Sequence, residues 1–206
     1  MDSKSSRTSN DLTKDKLLNH LKNIAIPASI GYLFNTLFNV VDTFWAGKLS
    51  TNALSGLTVS FPIYFIIIAL SVGIGRGATA LMSIALGSKN EKEFNIFAYN
   101  AFVIAIITSI ILILSSKFIV PILFDLTGSI GKAKELGVMY TETIFFGAFF
   151  FSLNYIFNAI LTAQGNTKPF RNFLIIGFFI NLILDPILIF GWFGIPRLGT
   201  VGIALA

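Results

Sequence analysis

Ten acidic residues occur in the 206-residue chain, and two of them stand where water is scarce. Asp42 lies in an apolar run that opens near Ile24, about 27 Å back along a helix rising 1.5 Å per residue. Asp185 lies in another, about 21 Å beyond Arg171 by the same measure. Asp2, Asp11, Asp15, Glu91, Glu93, Asp125 and Glu135 fall in polar stretches, and Glu142 stands about one turn into a run. An ionisable side chain in hydrocarbon is costly and marks a functional position by default. Carboxamides accompany both deep carboxylates. Asn35, Asn39 and Asp42 follow i, i+4, i+7 spacing and share about 60° of helical arc. Asn181 and Asp185 form an i, i+4 pair with Gly177 one turn earlier, and Asn154 and Asn158 form another. Asn39 or Asn154 alone would serve to hold helices together by hydrogen bonds. Two carboxylates backed by carboxamides can do more, because such oxygens suit a small dehydrated cation. A carboxylate withdrawn from water can equally hold a proton near neutral pH. An arriving lipophilic cation would favour the ionised carboxylates and expel the bound H+ or Na+, which is a physical basis for antiport.

The elements that position these groups follow from composition. The chain is 54% hydrophobic, 14% aromatic and only 12% charged, with 22 Phe, more apolar surface than one core of this length can bury. The expected fold is an all-α integral membrane protein. Residues 1–23 read as a polar leader in which Leu12, Leu17, Leu18 and Leu21 give amphipathic spacing for a helix on the membrane surface. Spans are expected at about 24–46, 53–87, 94–124, 138–161 and 173–193, with a sixth only begun at 199–206. The second is about 50 Å long as a helix and must tilt, protrude or break, with Gly73 to Gly77 as the expected break and Gly73-xxx-Gly77 as a close-packing face. Basic residues in alternating connections set orientation. Lys4, Arg7, Lys14, Lys16, Lys22, Lys89, Lys92, Lys168 and Arg171 fall on one side, against Lys48, Lys117, Lys132, Lys134 and Arg197 on the other, placing the N-terminus in the cytoplasm. The leader is therefore a cytoplasmic flank and not a nucleic-acid-binding arm. With no Cys and only His20, disulfides, thiol chemistry and the usual zinc sites are excluded. The Gly73-x-Gly75-x-Gly77 pattern follows no strand, so a nucleotide-binding loop is set aside. No enzyme chemistry and no cofactor are implied.

Several motifs in order carry a resemblance: Pro27, Val41-Asp42-Thr-Phe-Trp-Ala-Gly47, Gly73-Ile-Gly-Arg-Gly-Ala78 running to Ala85-Leu-Gly87, Gln164-Gly-Asn-Thr-Lys168, Asn181-Leu-Ile-Leu-Asp185-Pro186 and Gly199-Thr-Val-Gly202. Over about 24–206 the chain resembles the N-terminal half of a multidrug and toxic compound extrusion (MATE) transporter, in the prokaryotic branch with Asp in helices 1 and 5. The resemblance implies a two-lobe, twelve-helix protein of the prokaryotic inner membrane. The chain would supply a six-helix lobe, with five complete spans and the start of the sixth. Its partners would be amphiphilic organic cations, membrane lipid and a missing C-terminal lobe, and it would export cargo against H+ or Na+. It implies that Asp42, Asn181 and Asp185 bind the coupling ion, as metal ligands if that ion is Na+. Tyr140 and Asn158 would join their hydrogen-bond network, Asn35 and Asn39 would face the cavity, and the first helix would bend at Pro27. Arg76 departs from the pattern.

Other readings stay open. A lipid or polysaccharide-precursor flippase of the same superfamily would want cationic stripes in its cavity. The chain ends in an apolar segment, so it is also read as a fragment or an inactive truncated half. An intramembrane aspartyl protease would want Tyr before one Asp and Gly before the other, where Val41 and Leu184 stand.

Overall fold

The computed structural model describes residues 17–206. Seven α-helices follow in order: α1 Leu17–Leu49, α2 Thr51–Gly87, α3 Glu91–Leu126, α4 Gly131–Phe146, α5 Ala148–Ala163, α6 Lys168–Phe190 and α7 Thr200–Leu205. No strand occurs among the described residues. In hydrocarbon only intrahelical bonding satisfies the backbone of a single segment, so long apolar runs become helices. Four helices are long and apolar enough to cross a membrane, or five if α4 and α5 together make one bent span. The connections are short and locally specified. Ser50 caps α2 by accepting from the Ala53 amide at 3.0 Å, and Asn90 caps α3 by accepting from Glu93 at 3.1 Å.

Helix α2 is the hub, packing on α4, α3, α5 and α1, while α6 packs on α1 and α7 leans on α4. Two apolar clusters result. One surrounds Leu57, Ile67, Phe124 and Phe145, and the other Met82, Ala105, Ile156 and Ala159. The α2–α4 crossing depends on two glycines. A Cβ at Gly56 would stand 2.6 Å from the Ala133 carbonyl oxygen, and one at Gly137 would stand 2.9 Å from the Gly56 carbonyl oxygen and 2.5 Å from the Phe124 ring of α3. Beside them the Ser60 hydroxyl donates to the Gly56 carbonyl at 2.8 Å. At the far end, a Cβ at Gly202 would lie 2.7 Å from the Leu188 carbonyl carbon, so α7 rests directly on the α6 backbone. A buried Ser71–Ser152 hydroxyl pair, 3.2 Å apart, ties α2 to α5.

The structure departs from the expected elements in four places. The run 138–161 is not one straight helix: α4 and α5 meet at Gly147 with a 46° bend. There the amides of Phe150 and Phe151 both donate to the Gly147 carbonyl, a tightened turn at the residue with least side-chain support. Helix α2, by contrast, passes through Gly73–Gly77 unbroken. Gly73 and Gly77 face open space, and the close approach falls to Gly75, whose Cβ would stand 3.3 Å from the Tyr155 carbonyl oxygen. The 173–193 run loses its last residues from the helix, because Gly191 adopts left-handed φ 79° and a short 3-10 turn, Trp192–Gly194, follows. Finally, residues 17–23, assigned to the leader, continue into α1 without a breaker, whereas the rest of the leader lies outside the described residues.

Candidate functional site

Helices α1, α2, α4, α5, α6 and α7 line a cavity of about 360 Å³. The stripe on α1 supplies Asn35, Asn39 and Asp42 to its wall, α6 supplies Asn181, α4 supplies Tyr140, and α5 supplies Asn154 and Tyr155. The periodicity that put Asn35, Asn39 and Asp42 on one face thus turns that face toward α6, the neighbour of α1. Between the two helices the Asn181 side-chain amide donates to Asp42 Oδ1 at 3.2 Å.

Asp185 stands one turn beyond Asn181 on α6 and is 0% exposed. Neither of its oxygens has a hydrogen-bond partner, and the Asn181 carbonyl oxygen lacks one as well. Three orphaned oxygens on adjacent turns form an acceptor-rich, donor-poor pocket. An ionised carboxylate so placed carries an uncompensated desolvation cost, which a proton or a small cation would relieve. Pro186 adds to this character, since it has no N–H to donate to the Leu182 carbonyl one turn back. Among the described residues no group of three or more His, Cys, Asp or Glu could hold a metal ion. A cation here would accordingly draw on the two carboxylates and on amide and carbonyl oxygens.

The remaining expected residues divide. Tyr140, only 4% exposed, lines the cavity, and Asn39 also donates to the Asn35 carbonyl at 3.1 Å. Pro27 is buried inside α1, which remains helical through it. Asn158, expected in the network of Asp42, instead lines a smaller pocket of about 20 Å³ with Tyr32, Arg76 and Thr162, and accepts from the Thr162 hydroxyl at 3.2 Å. Two polar cavity residues escaped sequence reasoning, Tyr64 and Tyr155. Tyr155 stands three residues after Ser152 on α5 and Tyr64 four after Ser60 on α2, so each had a polar neighbour at helical spacing, a signal that was present.

A multi-span helical bundle with two buried carboxylates at or beside a polar-walled cavity is an architecture suited to a membrane transporter lobe. The MatE family model matches residues 27–187, and the chain belongs to that family. A Shewanella oneidensis protein named "FAD transporter" is 33% identical over 187 residues, covering 90% of this chain and 41% of that protein. A Thermotoga maritima protein named "Probable multidrug resistance protein NorM" is 32% identical, covering 89% and 39%. The chain therefore spans about two fifths of the length of these relatives. The structure of a MOP superfamily transporter from Pyrococcus furiosus, described for the reverse polarity of its binding pocket, superimposes with a TM-score of 0.83 at 27% identity. It is covered to 40%, and covers 90% of this chain. An outward-facing multidrug resistance MATE transporter gives 0.80 at 27% identity, with the same coverage. The fold is that of MATE transporters, and the chain is a multi-pass membrane protein.

Proposed function

We propose that this chain is the first lobe of a two-lobed antiporter that exports amphiphilic organic cations in exchange for H+ or Na+. Asp42, Asn181 and Asp185 hold the coupling ion, and Tyr140, Asn35 and Asn39 shape the cavity that receives cargo. The observation that carries this reading is the sealed Asp185 carboxylate, with both oxygens unpartnered, one turn behind an Asn181 that is bonded to Asp42. A charge that no protein group compensates is suited to binding and releasing a small cation. Cargo arriving at Asp42 changes the local field through Asn181, so occupation by one cation disfavours the other. The lobe sits in the plasma membrane of a prokaryote with its N-terminus in the cytoplasm, as the distribution of basic residues favours.

Energetics are sufficient. One elementary charge crossing 100 mV supplies about 2.3 kcal/mol, against about 1.4 kcal/mol per tenfold gradient. The test is efflux of a fluorescent lipophilic cation from vesicles containing the full-length transporter, driven by either a pH or a Na+ gradient. One gradient is expected to drive efflux in the wild type and to fail in Asp185→Asn. Transport unimpaired in that variant overturns the site, and folded wild type that moves dye under neither gradient overturns antiport in favour of a lipid-linked cargo.

A further inference from the structure

At the end of the lobe where α1 and α3 close and α4 opens, charge is divided unevenly. The acidic residues there are Asp125, Glu135 and Glu142, and each is paired on α3 and α4, with Lys134, Lys132 and Lys117. On the edge formed by α1 and α6, Lys48 and Arg197 are exposed and join no ion pair among the described residues. Asp42 faces the cavity and Asp185 is fully buried, so this edge presents two cations with no carboxylate to receive them.

Helix length sets the level of that edge. The 23 residues of α6 make about 35 Å, against a hydrocarbon core of about 30 Å, so the turn after Phe190 lies in the headgroup layer. The turn is tightly pinned. A Cβ at the left-handed Gly191 would stand 2.7 Å from the Ile195 carbonyl oxygen and 2.9 Å from the Arg197 amide nitrogen. The Leu198 and Gly199 amides donate to the Leu188 and Ile189 carbonyls at 3.0 and 3.2 Å. Between these fixed points Trp192 is 50% exposed and Phe193 87% exposed. Phe193 stands at φ 56°, a left-handed conformation uncommon for a residue with a Cβ, and its outward ring adds little to packing inside the lobe. Among lipid headgroups both rings have a place, the indole at the interface and the phenyl at the head of the acyl chains. An aromatic row also connects the two cations. The Lys48 Nζ lies 5.6 Å from the Phe44 ring centroid, Phe44 packs on Trp45, Trp45 on Phe190 and Phe190 on Trp192, in the turn that carries Arg197.

We propose that Lys48, Arg197 and the Trp192–Phe193 turn form a docking site for an anionic phospholipid of the phosphatidylglycerol type. The planar fork of Arg197 takes the phosphate, Lys48 adds the second positive charge, and the upper acyl chains lie along the aromatic row. An anionic lipid fits better than a zwitterionic one, because a choline or ethanolamine head would bring a third cation to an edge without a carboxylate. The site is independent of the export reading.

The test titrates short-chain phosphatidylglycerol into the full-length transporter in a neutral detergent, with successive binding steps resolved by native mass spectrometry. Phosphatidylcholine of the same chain length and glycerol 1-phosphate are the comparison probes. In the wild type the first phosphatidylglycerol is expected to bind at least tenfold tighter than phosphatidylcholine. Lys48→Gln and Arg197→Gln should each weaken it about fivefold, equivalent to about 1 kcal/mol for a basic residue beside anionic lipid. Arg197→Lys should fall between Arg197→Gln and the wild type, and Lys132→Gln, the same charge change at the same end, should alter binding less than twofold. Equal weakening by Lys132→Gln, or no weakening by either of the first two variants, overturns the site. Phosphatidylcholine binding as tightly as phosphatidylglycerol overturns the charge selection. Glycerol 1-phosphate displacing the lipid at equal concentration overturns a lipid as the occupant. No transport is read, so failure of antiport and failure of this site are distinguishable.

Discussion

If the sealed carboxylate binds the coupling ion, the ion must stabilise the folded protein, and replacing Asp185 must abolish that stabilisation. Both Asp185 oxygens lack partners in a fully buried position, so the ionised, unoccupied state carries a desolvation cost of several kcal/mol. A ligand that binds only the folded state adds about 2.7 kcal/mol at one hundred times its Kd. Each kcal/mol moves Tm by about 2–4 °C for a chain of 150–250 residues and by less for a longer one. The full transporter should therefore gain about 3–6 °C. The assay is thermal unfolding of purified wild type and Asp185→Asn, with Na+ titrated against choline at constant ionic strength and, separately, with pH lowered. Wild type is expected to rise in Tm along one of these axes. Asp185→Asn, which has a neutral amide in nearly the same volume, is expected to stay flat along it and to start no lower than the ion-free wild type. Parallel curves for the two proteins on both axes would refute ion binding at Asp185. A variant melting several degrees lower at every condition would show instead that the carboxylate holds the fold together.

Gly137→Val places side-chain atoms where a Cβ already stands 2.5 Å from the Phe124 ring. Overpacking of this kind costs about 1–3 kcal/mol, so Tm measured in detergent should fall, and an unchanged Tm would mean that the Phe124 ring of α3 swings aside without cost. The Ser71–Ser152 hydroxyl pair should show a coupling of about 0.6 kcal/mol in a double-mutant cycle of alanine variants, the size typical of hydrogen bonds between membrane helices. Zero coupling would leave each hydroxyl bonded within its own helix.

How much of this was legible depended on whether a single helix or a pair of helices decides the outcome. Apolar run length specifies spans, and the 3.6-residue period places Asn35, Asn39 and Asp42 on one face, as the cavity wall has them. The i, i+4 spacing likewise placed Asn181 beside Asp185. Asn158 lies one turn beyond Asn154 on α5, and over that turn the same face passes from the large cavity to the pocket of Arg76, a change that depends on the neighbouring helices and not on spacing within α5. The glycines of α2 were misassigned for a related reason. A Gly-xxx-Gly pattern shows that close approach is possible on a face, but which face meets a neighbour depends on the rotation of α2 about its axis, and that rotation gave Gly75 to Tyr155.

On the proposed export reading, the backbone contacts at Gly56, Gly137 and Gly202 also bear on how the cargo range of this lobe can change. At these three positions every missense change adds a Cβ within 3.0 Å of a neighbouring carbonyl, amide or ring, so the helix crossings are closed to gradual exploration. Asn154, Tyr155 and Phe173 on the cavity wall meet no such barrier and are only partly buried or exposed. If the lobe exports drugs as proposed, selection under a new compound should collect its substitutions on the wall and spare the crossings, so that cargo range changes through the lining of a lobe whose frame does not vary.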